Sequence, residues 1–191
     1  MEDRPPRLSS SIAFARFLST AGHPFVLVPL MIAVATANWV WTAIVAACTI
    51  LPMFAITLRN VRRGLWSDHD VSRHDQRSGL YRIAFPLVAV SAVVLYFLGA
   101  GRGMMRGFAA AAVMLALGLF LNRWLKVSMH LMTAAYAGVT IGWLYPIASW
   151  FIVPFVAAVA WSRRKLERHT WAEIIVGTIL GAGAAFFAIA G

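Results

Sequence analysis

The chain has 191 residues, 61% of them hydrophobic and 13% charged, and its mean hydropathy is +0.75. This composition excludes an ordinary soluble domain and describes a polytopic membrane protein whose residues 1–191 form one compact unit. The net charge of +10 reads as a record of membrane orientation and not as a nucleic-acid partner, and a single cysteine, Cys48, excludes a disulfide framework within the chain.

Residues 1–16 read as a cytoplasmic N-terminal segment. Arg4 and Arg7, the apolar run from Pro24 and the end at Ala35-Thr36-Ala37 loosely imitate a signal peptide. Apolar sequence resumes at Trp39, which favours retention of the run as a first span. Seven apolar segments follow one another at 17–37, 39–58, 81–100, 105–121, 128–145, 147–161 and 171–190. They lack strand alternation, so the expected fold is all-α, a transmembrane helical bundle of six to seven spans. A span needs about 20 residues, which makes the sixth segment short and the fourth marginal. Pro154 is expected to kink the sixth.

The connections alternate in character. Residues 1–16, 59–80, 122–127 and 162–170 fall on one side, and brief turns at Asn38, 101–104 and Pro146 on the other. With boundary residues counted into their nearest loops, every Lys and Arg except Arg102 and Arg106 belongs to the first side. The positive-inside rule then puts the N-terminus and the long loops in the cytoplasm of a bacterial or archaeal cell. Gly177, Gly181 and Ala185 form a small-residue stripe suited to close helix packing. Met104, Met105, Met114, Met129 and Met132 read as packing, and the Trp residues near segment ends as interfacial belts.

Three polar clusters share the basic side. The first runs from Ser67 to Arg77 and contains Asp68, His69, Asp70, Arg73, His74 and Asp75. The second is Arg123-Trp124-Leu125-Lys126-Val127-Ser128-Met129-His130, and the third is Ser162-Arg163-Arg164-Lys165-Leu166-Glu167-Arg168-His169-Thr170-Trp171-Ala172-Glu173. Ionisable groups gathered at a membrane boundary tend to be functional. His169 and Glu173 are four apart, so on a helix the carboxylate would hold the ring in one orientation and tautomer. An oriented histidine beside arginines suits attack on phosphorus, and Arg163 can bind phosphate bidentately.

The third cluster resembles the Ser-Arg-x5-His-x3-Asp motif of the type 2 phosphatidic acid phosphatase superfamily. Ser162, Arg163 and His169 match in register, with Glu173 in place of the usual Asp. The second resembles its Pro-Ser-Gly-His motif at Ser128 and His130, with Val127 and Met129 departing from it. The first is similar to Lys-x6-Arg-Pro at Arg77, with Asp70 where the lysine should stand and Ser78 in place of proline. Lys126-Val127-Ser128-Met129-His130 and His23-Pro24 are similar to a short, divergent branch of that superfamily. The resemblance implies an integral-membrane lipid phosphatase acting on a lipid phosphate or diphosphate among membrane lipids. Isoprenoid phosphates and diphosphates, phosphatidic acid and phosphatidylglycerophosphate are the candidate substrates, with no cofactor or metal. It implies His169 as the nucleophile that becomes phosphohistidine and His130 as the acid for the leaving oxygen. Glu173 would orient His169, and Arg163, Ser128, Arg77 and Lys126 would bind phosphate. Asp70, Arg164 and His23 are accessory candidates, and His23 either borders the route of lipid entry or serves packing.

Two other readings stay open. One is a degenerate relative that binds or translocates anionic lipids. The other is a metal-dependent prenyl or CDP-alcohol transferase. For such a transferase only Asp68, Asp70 and Asp75 cluster, without the spacing or the second acidic motif of those families, and Asp68, His69, Asp70 and His74 supply metal-ligand types.

Overall fold

The computed structural model describes residues 9–190, which are helical with no strand among them. Arg4 and Arg7, and with them the start of the N-terminal segment, lie outside the described residues. Five helices are long and apolar enough to cross a membrane, and a bent pair makes a sixth candidate span.

The bent pair replaces the single first span expected from 17–37. Helix α1 (Ser10–Ala21) and helix α2 (Pro24–Thr36) meet at 49°. Local chemistry explains the break. Pro24 sits in the first turn of α2, where its missing N–H is no loss, and the Phe25 N–H donates to His23 Nδ1 at 3.1 Å. His23 is therefore a helix cap at the joint of this broken pair and not a residue inside a continuous helix. Gly22 packs so tightly that a Cβ there would stand 2.7 Å from Val159. Helix α1 lies against the chain's eighth helix with Ala15, Leu18 and Ser19 inward, leaving Phe14 and Phe17 exposed.

Helix α3 (Trp39–Val45) continues through a π-helical turn at Ala46–Ile50 into α4 (Leu51–Arg62), so 39–62 is one rod. Helix α5 (His74–Phe97) begins seven residues before the apolar segment, and Arg77 is helical instead of lying in a loop. Helix α6 (Arg102–Leu121) folds back on α5, with Gly118 against the Tyr81 ring. Helix α7 (Met129–Leu144) has only 16 residues, about 24 Å, and is the short central helix. Helix α8 (Ser149–Lys165) runs on through Pro154, so Ser162 and Arg163 are helical too. Helix α9 (Trp171–Ala190) closes the bundle.

The core forms around α7, whose residues from His130 to Ala137 are all buried. Helices α2, α8 and α9 pack on it, and α6 packs on α9. Lipid offers no hydrophobic drive between helices, so close backbone approach has to supply the packing. The α9 stripe does this: a Cβ on Gly177 would stand 2.8 Å from the Ser128 carbonyl oxygen, and one on Gly181 2.1 Å from that of Met132. Exposed Trp39, Trp143 and Trp150 lie toward one end of the bundle, and exposed Trp124, Trp161 and Trp171 toward the other, as interfacial belts require.

Gly181→Val should separate α7 from α9, because the clash is with backbone that cannot move aside. The expected loss is roughly 1–3 kcal/mol or more. Gly183→Val, whose Cβ meets nothing within 4 Å, should be close to neutral. Thermal unfolding of the two variants side by side in detergent checks this contrast.

Candidate active site

The loop between α4 and α5 is built on Asp68. Its Oδ1 accepts from the backbone N–H groups of Asp70 at 2.9 Å and Ser72 at 3.3 Å, and from Ser72 Oγ at 3.0 Å. Trp66 and Val71 are buried against Met53 and anchor the loop to the bundle. Val71 has φ 47°, a left-handed conformation that is strained for a β-branched residue. That conformation directs the Val71 carbonyl to Arg77, whose Nε donates to it at 3.2 Å. The Arg77 guanidinium also donates to the Val127 carbonyl, and its Nη2 lies 3.4 Å from His169 Nε2. Arg77 is only 1% exposed.

His169 stands just before α9. Its Nδ1 lies 2.9 Å from Glu173 Oε2 and 3.1 Å from the Lys126 carbonyl oxygen. Both partners are acceptors, so Nδ1 carries the proton and Nε2 keeps a lone pair. The contact with Glu173 arises from a helix cap rather than from two positions on one helical face. Thr170 and Glu173 form a reciprocal box: the Thr170 N–H donates to Oε2 at 3.0 Å and the Glu173 N–H to Thr170 Oγ1 at 3.3 Å. Burial lowers the imidazole well below its ordinary pKa, and the charges of Arg77, Arg163 and Lys126 act in the same direction. The ring is neutral at neutral pH.

Arg163, also 1% exposed, projects from the end of α8. Its Nη1 donates to Asp70 Oδ2 at 2.7 Å and to Ser19 Oγ at 2.6 Å. Burial by itself would raise the Asp70 carboxyl, but the Arg163 charge and hydrogen bond outweigh it and hold the group below the usual carboxylate range. Asp70 Oδ1 lies 3.6 Å from His23 Nε2 and 3.9 Å from His130 Nε2. Arg163 Nε, Arg163 Nη2, Ser128 Oγ and His130 Nε2 are all buried without a hydrogen-bond partner. Such atoms are costly unless a ligand satisfies them.

Among the described residues, three metal-ligand types converge only at His23, Asp70 and His130. The hydrogen bond from Phe25 to His23 Nδ1 puts the ring proton on Nε2, facing Asp70, so a metal there would have to break the α2 cap. Asp70 is in addition bound to Arg163. With its carboxylate paired to Arg163, the set fits an ion-paired cluster better than a cation site. The other group of metal-ligand types does not gather: Asp68 is committed to its loop, His69 is exposed, and His74 Nε2 lies 2.5 Å from the Asn122 carbonyl oxygen.

The structure thus brings Arg77, Ser128, His130, Arg163, His169 and Glu173 to one end of the bundle, with Asp70 and His23 beside them. Lys126 contributes its backbone carbonyl to His169, while its Nζ, its pKa lowered by burial, donates to the Ser72 carbonyl at 3.3 Å. Arg164 is exposed on the last turn of α8 and is not drawn into the cluster. Sequence reasoning missed three residues. Ser19 shares Arg163, Thr170 completes the cap, and Arg168 Nη1 ties the Asp68 loop down through Asp68 Oδ2 at 3.2 Å and Ser72 Oγ at 2.6 Å. The Thr170-x-x-Glu173 spacing was a readable signal for the cap. Nothing in the sequence pointed to Ser19.

Comparison with protein-family models, with curated proteins and with solved structures finds no match to this chain.

The depressed His169 pKa has a consequence for stability. The unfolded chain takes up a proton at this histidine as pH falls below about 6.5, while the folded chain does not. Stability from this group is therefore present above about pH 6.5 and lost below it, at up to about 1.4 kcal/mol per pH unit. Denaturant unfolding at pH 7.5 and 5.5 should show the loss in the wild type and a smaller one in His169→Asn. Equal losses in both would assign the effect to other groups.

Proposed function

We propose that the chain is an integral-membrane lipid phosphatase that hydrolyses a phosphate or diphosphate ester through a phosphohistidine. The observation that carries this reading is the set of buried donors without partners beside an oriented, neutral histidine. Two nitrogens of Arg163, together with Ser128 Oγ and His130 Nε2, want an anion, and a phosphoryl group supplies several acceptor oxygens at once. Ser128 and His130 stand at the start of α7, where free backbone N–H groups and the helix dipole also favour negative charge.

In this mechanism a phosphate oxygen takes over the Arg77 Nη2 hydrogen bond and frees the His169 Nε2 lone pair. Nε2 attacks phosphorus, the bond to the lipid oxygen breaks, and His130, which takes up a proton as the anionic phosphate binds beside it, passes that proton to the oxygen. Glu173 stabilises the imidazolium that forms, as the acidic member of a triad does. Water then attacks the phosphohistidine and gives a proton to His130, the N–P bond breaks, phosphate leaves and the His169 ring returns to its neutral form. The arginines provide the charge that a metal supplies in other phosphoryl-transfer sites. The basic loops orient this end toward the cytoplasm, and a reporter fused after Gly191 should be active only outside it.

Purified protein given lipid phosphates should release phosphate in the presence of EDTA. His169→Ala should abolish release. Glu173→Gln should slow it on the order of a hundredfold or more, since a neutral amide stabilises the imidazolium less. Covalent phosphate that is still trapped in His169→Ala rejects the nucleophile, and activity lost in EDTA points to the transferase reading.

A further inference from the structure

We infer, on the phosphatase reading above, that the substrate is a single-chain lipid phosphate whose one chain, of about 15–18 carbons, lies inside the bundle. Two cavities of opposite character meet at His23, His69 and Asp70. One, of 610 Å³, is a polar vestibule bordered by Arg16, Ser19, Thr20 and Arg168. The other, of 460 Å³, is an apolar chamber running between α2, α4, α5, α6 and α7. Neither cavity is lined by His169, Arg163 or Ser128; the neck between them is held by Asp70, which is bound to Arg163. A cavity pair that is polar above and apolar below, joined beside a set of anion donors, is complementary to an amphiphile with an anionic head.

The dimensions decide how many chains fit. Along α7 the chamber extends from Met129 to Leu144, about 22 Å at 1.5 Å per residue. An extended chain advances about 1.2 Å per backbone atom, so about eighteen atoms span that length. The volume is the tighter limit, about fifteen methylene-sized units at roughly 30 Å³ each. Arg106 and Thr140 line the chamber on the way to that end, with Arg106 Nε and Thr140 Oγ1 buried without partners. A diacyl lipid brings twice the hydrocarbon that the chamber holds, and a polyprenyl chain several times longer exceeds it as well.

Prenyl and alkyl chains share this chemistry, and the test separates the two. Wild-type protein in nanodiscs is titrated with prenyl monophosphates of 5, 10, 15 and 20 carbons, saturated alkyl monophosphates of matched length, and dioleoyl phosphatidic acid. All are given at equal mole fraction in the bilayer, with binding and phosphate release read on the same samples. Binding should peak near 15–18 carbons, so that the 15-carbon prenyl chain outbinds the 20-carbon one, and fall at least tenfold for the diacyl lipid. The stronger arm at matched length names the chain type. Ala111→Phe on α6 and Ala84→Phe on α5, each filling the chamber, should move the peak to shorter chains and lower the 15-to-5-carbon binding ratio at least tenfold. The wild-type ladder carries the test even if a variant misfolds. Affinity that climbs steadily with chain length, or a diacyl lipid bound as well as a single chain, overturns the inference while phosphate release keeps the phosphatase reading. The expected peak without phosphate release keeps the chamber and rejects the phosphatase.

Discussion

Two guanidinium groups buried at one end of an apolar bundle set the terms for everything around them. Neither Arg77 nor Arg163 can keep its charge out of water without close partners, because desolvating an ion costs several kcal/mol unless other groups replace its hydration. Arg77 draws in carbonyls from the loop before its own helix and from the entry to α7. Arg163 draws in a carboxylate from the same loop and a hydroxyl from α1. The polar end of the molecule is therefore assembled around these cations, and the strained Val71 backbone is part of that assembly. Arg163 is not saturated, since its Nε and Nη2 are buried without partners, and the proposed phosphate would satisfy them.

The packing of the membrane helices and the geometry of the site depend on each other. Gly177 lets α9 come close to the start of α7, and there the Ser128 N–H donates to the Glu173 carbonyl at 3.2 Å. The same approach brings His169 under the Lys126 carbonyl. A larger residue at 177 would move the histidine, its carboxylate and the α7 N-terminus apart together. On its other face α7 meets α2 without filling the space toward α5 and α6, and the apolar chamber is what remains there.

Asp70 gives the site its individual character. A carboxylate among buried arginines would compete with the proposed anion, and here it neutralises Arg163, the arginine with nitrogens to spare. In the absence of ligand this pairing keeps Arg163 buried at tolerable cost. Arg163 Nε and Nη2 remain for the proposed phosphate while Asp70 keeps Nη1. The carboxylate thereby lowers the net positive charge of the cluster.

The sequence alone was enough for the all-helical membrane bundle, the small-residue seam on α9 and the common side of the three polar clusters. Each depends on local composition and helical period, which neighbours in sequence already express. His169 and Glu173 were legible as partners for the same reason, being four residues apart, although the contact is made through a cap. What the sequence did not contain was the break at Gly22–His23, the depth to which α5 and α8 extend their helices through Arg77 and Arg163, or the meeting of Asp70 with Arg163 from 93 residues away. Nor did it contain Ser19 as a partner of Arg163, or the chamber beneath His130. These follow from how separate helices approach one another, and a buried charge takes its partner from whatever the packing brings within reach.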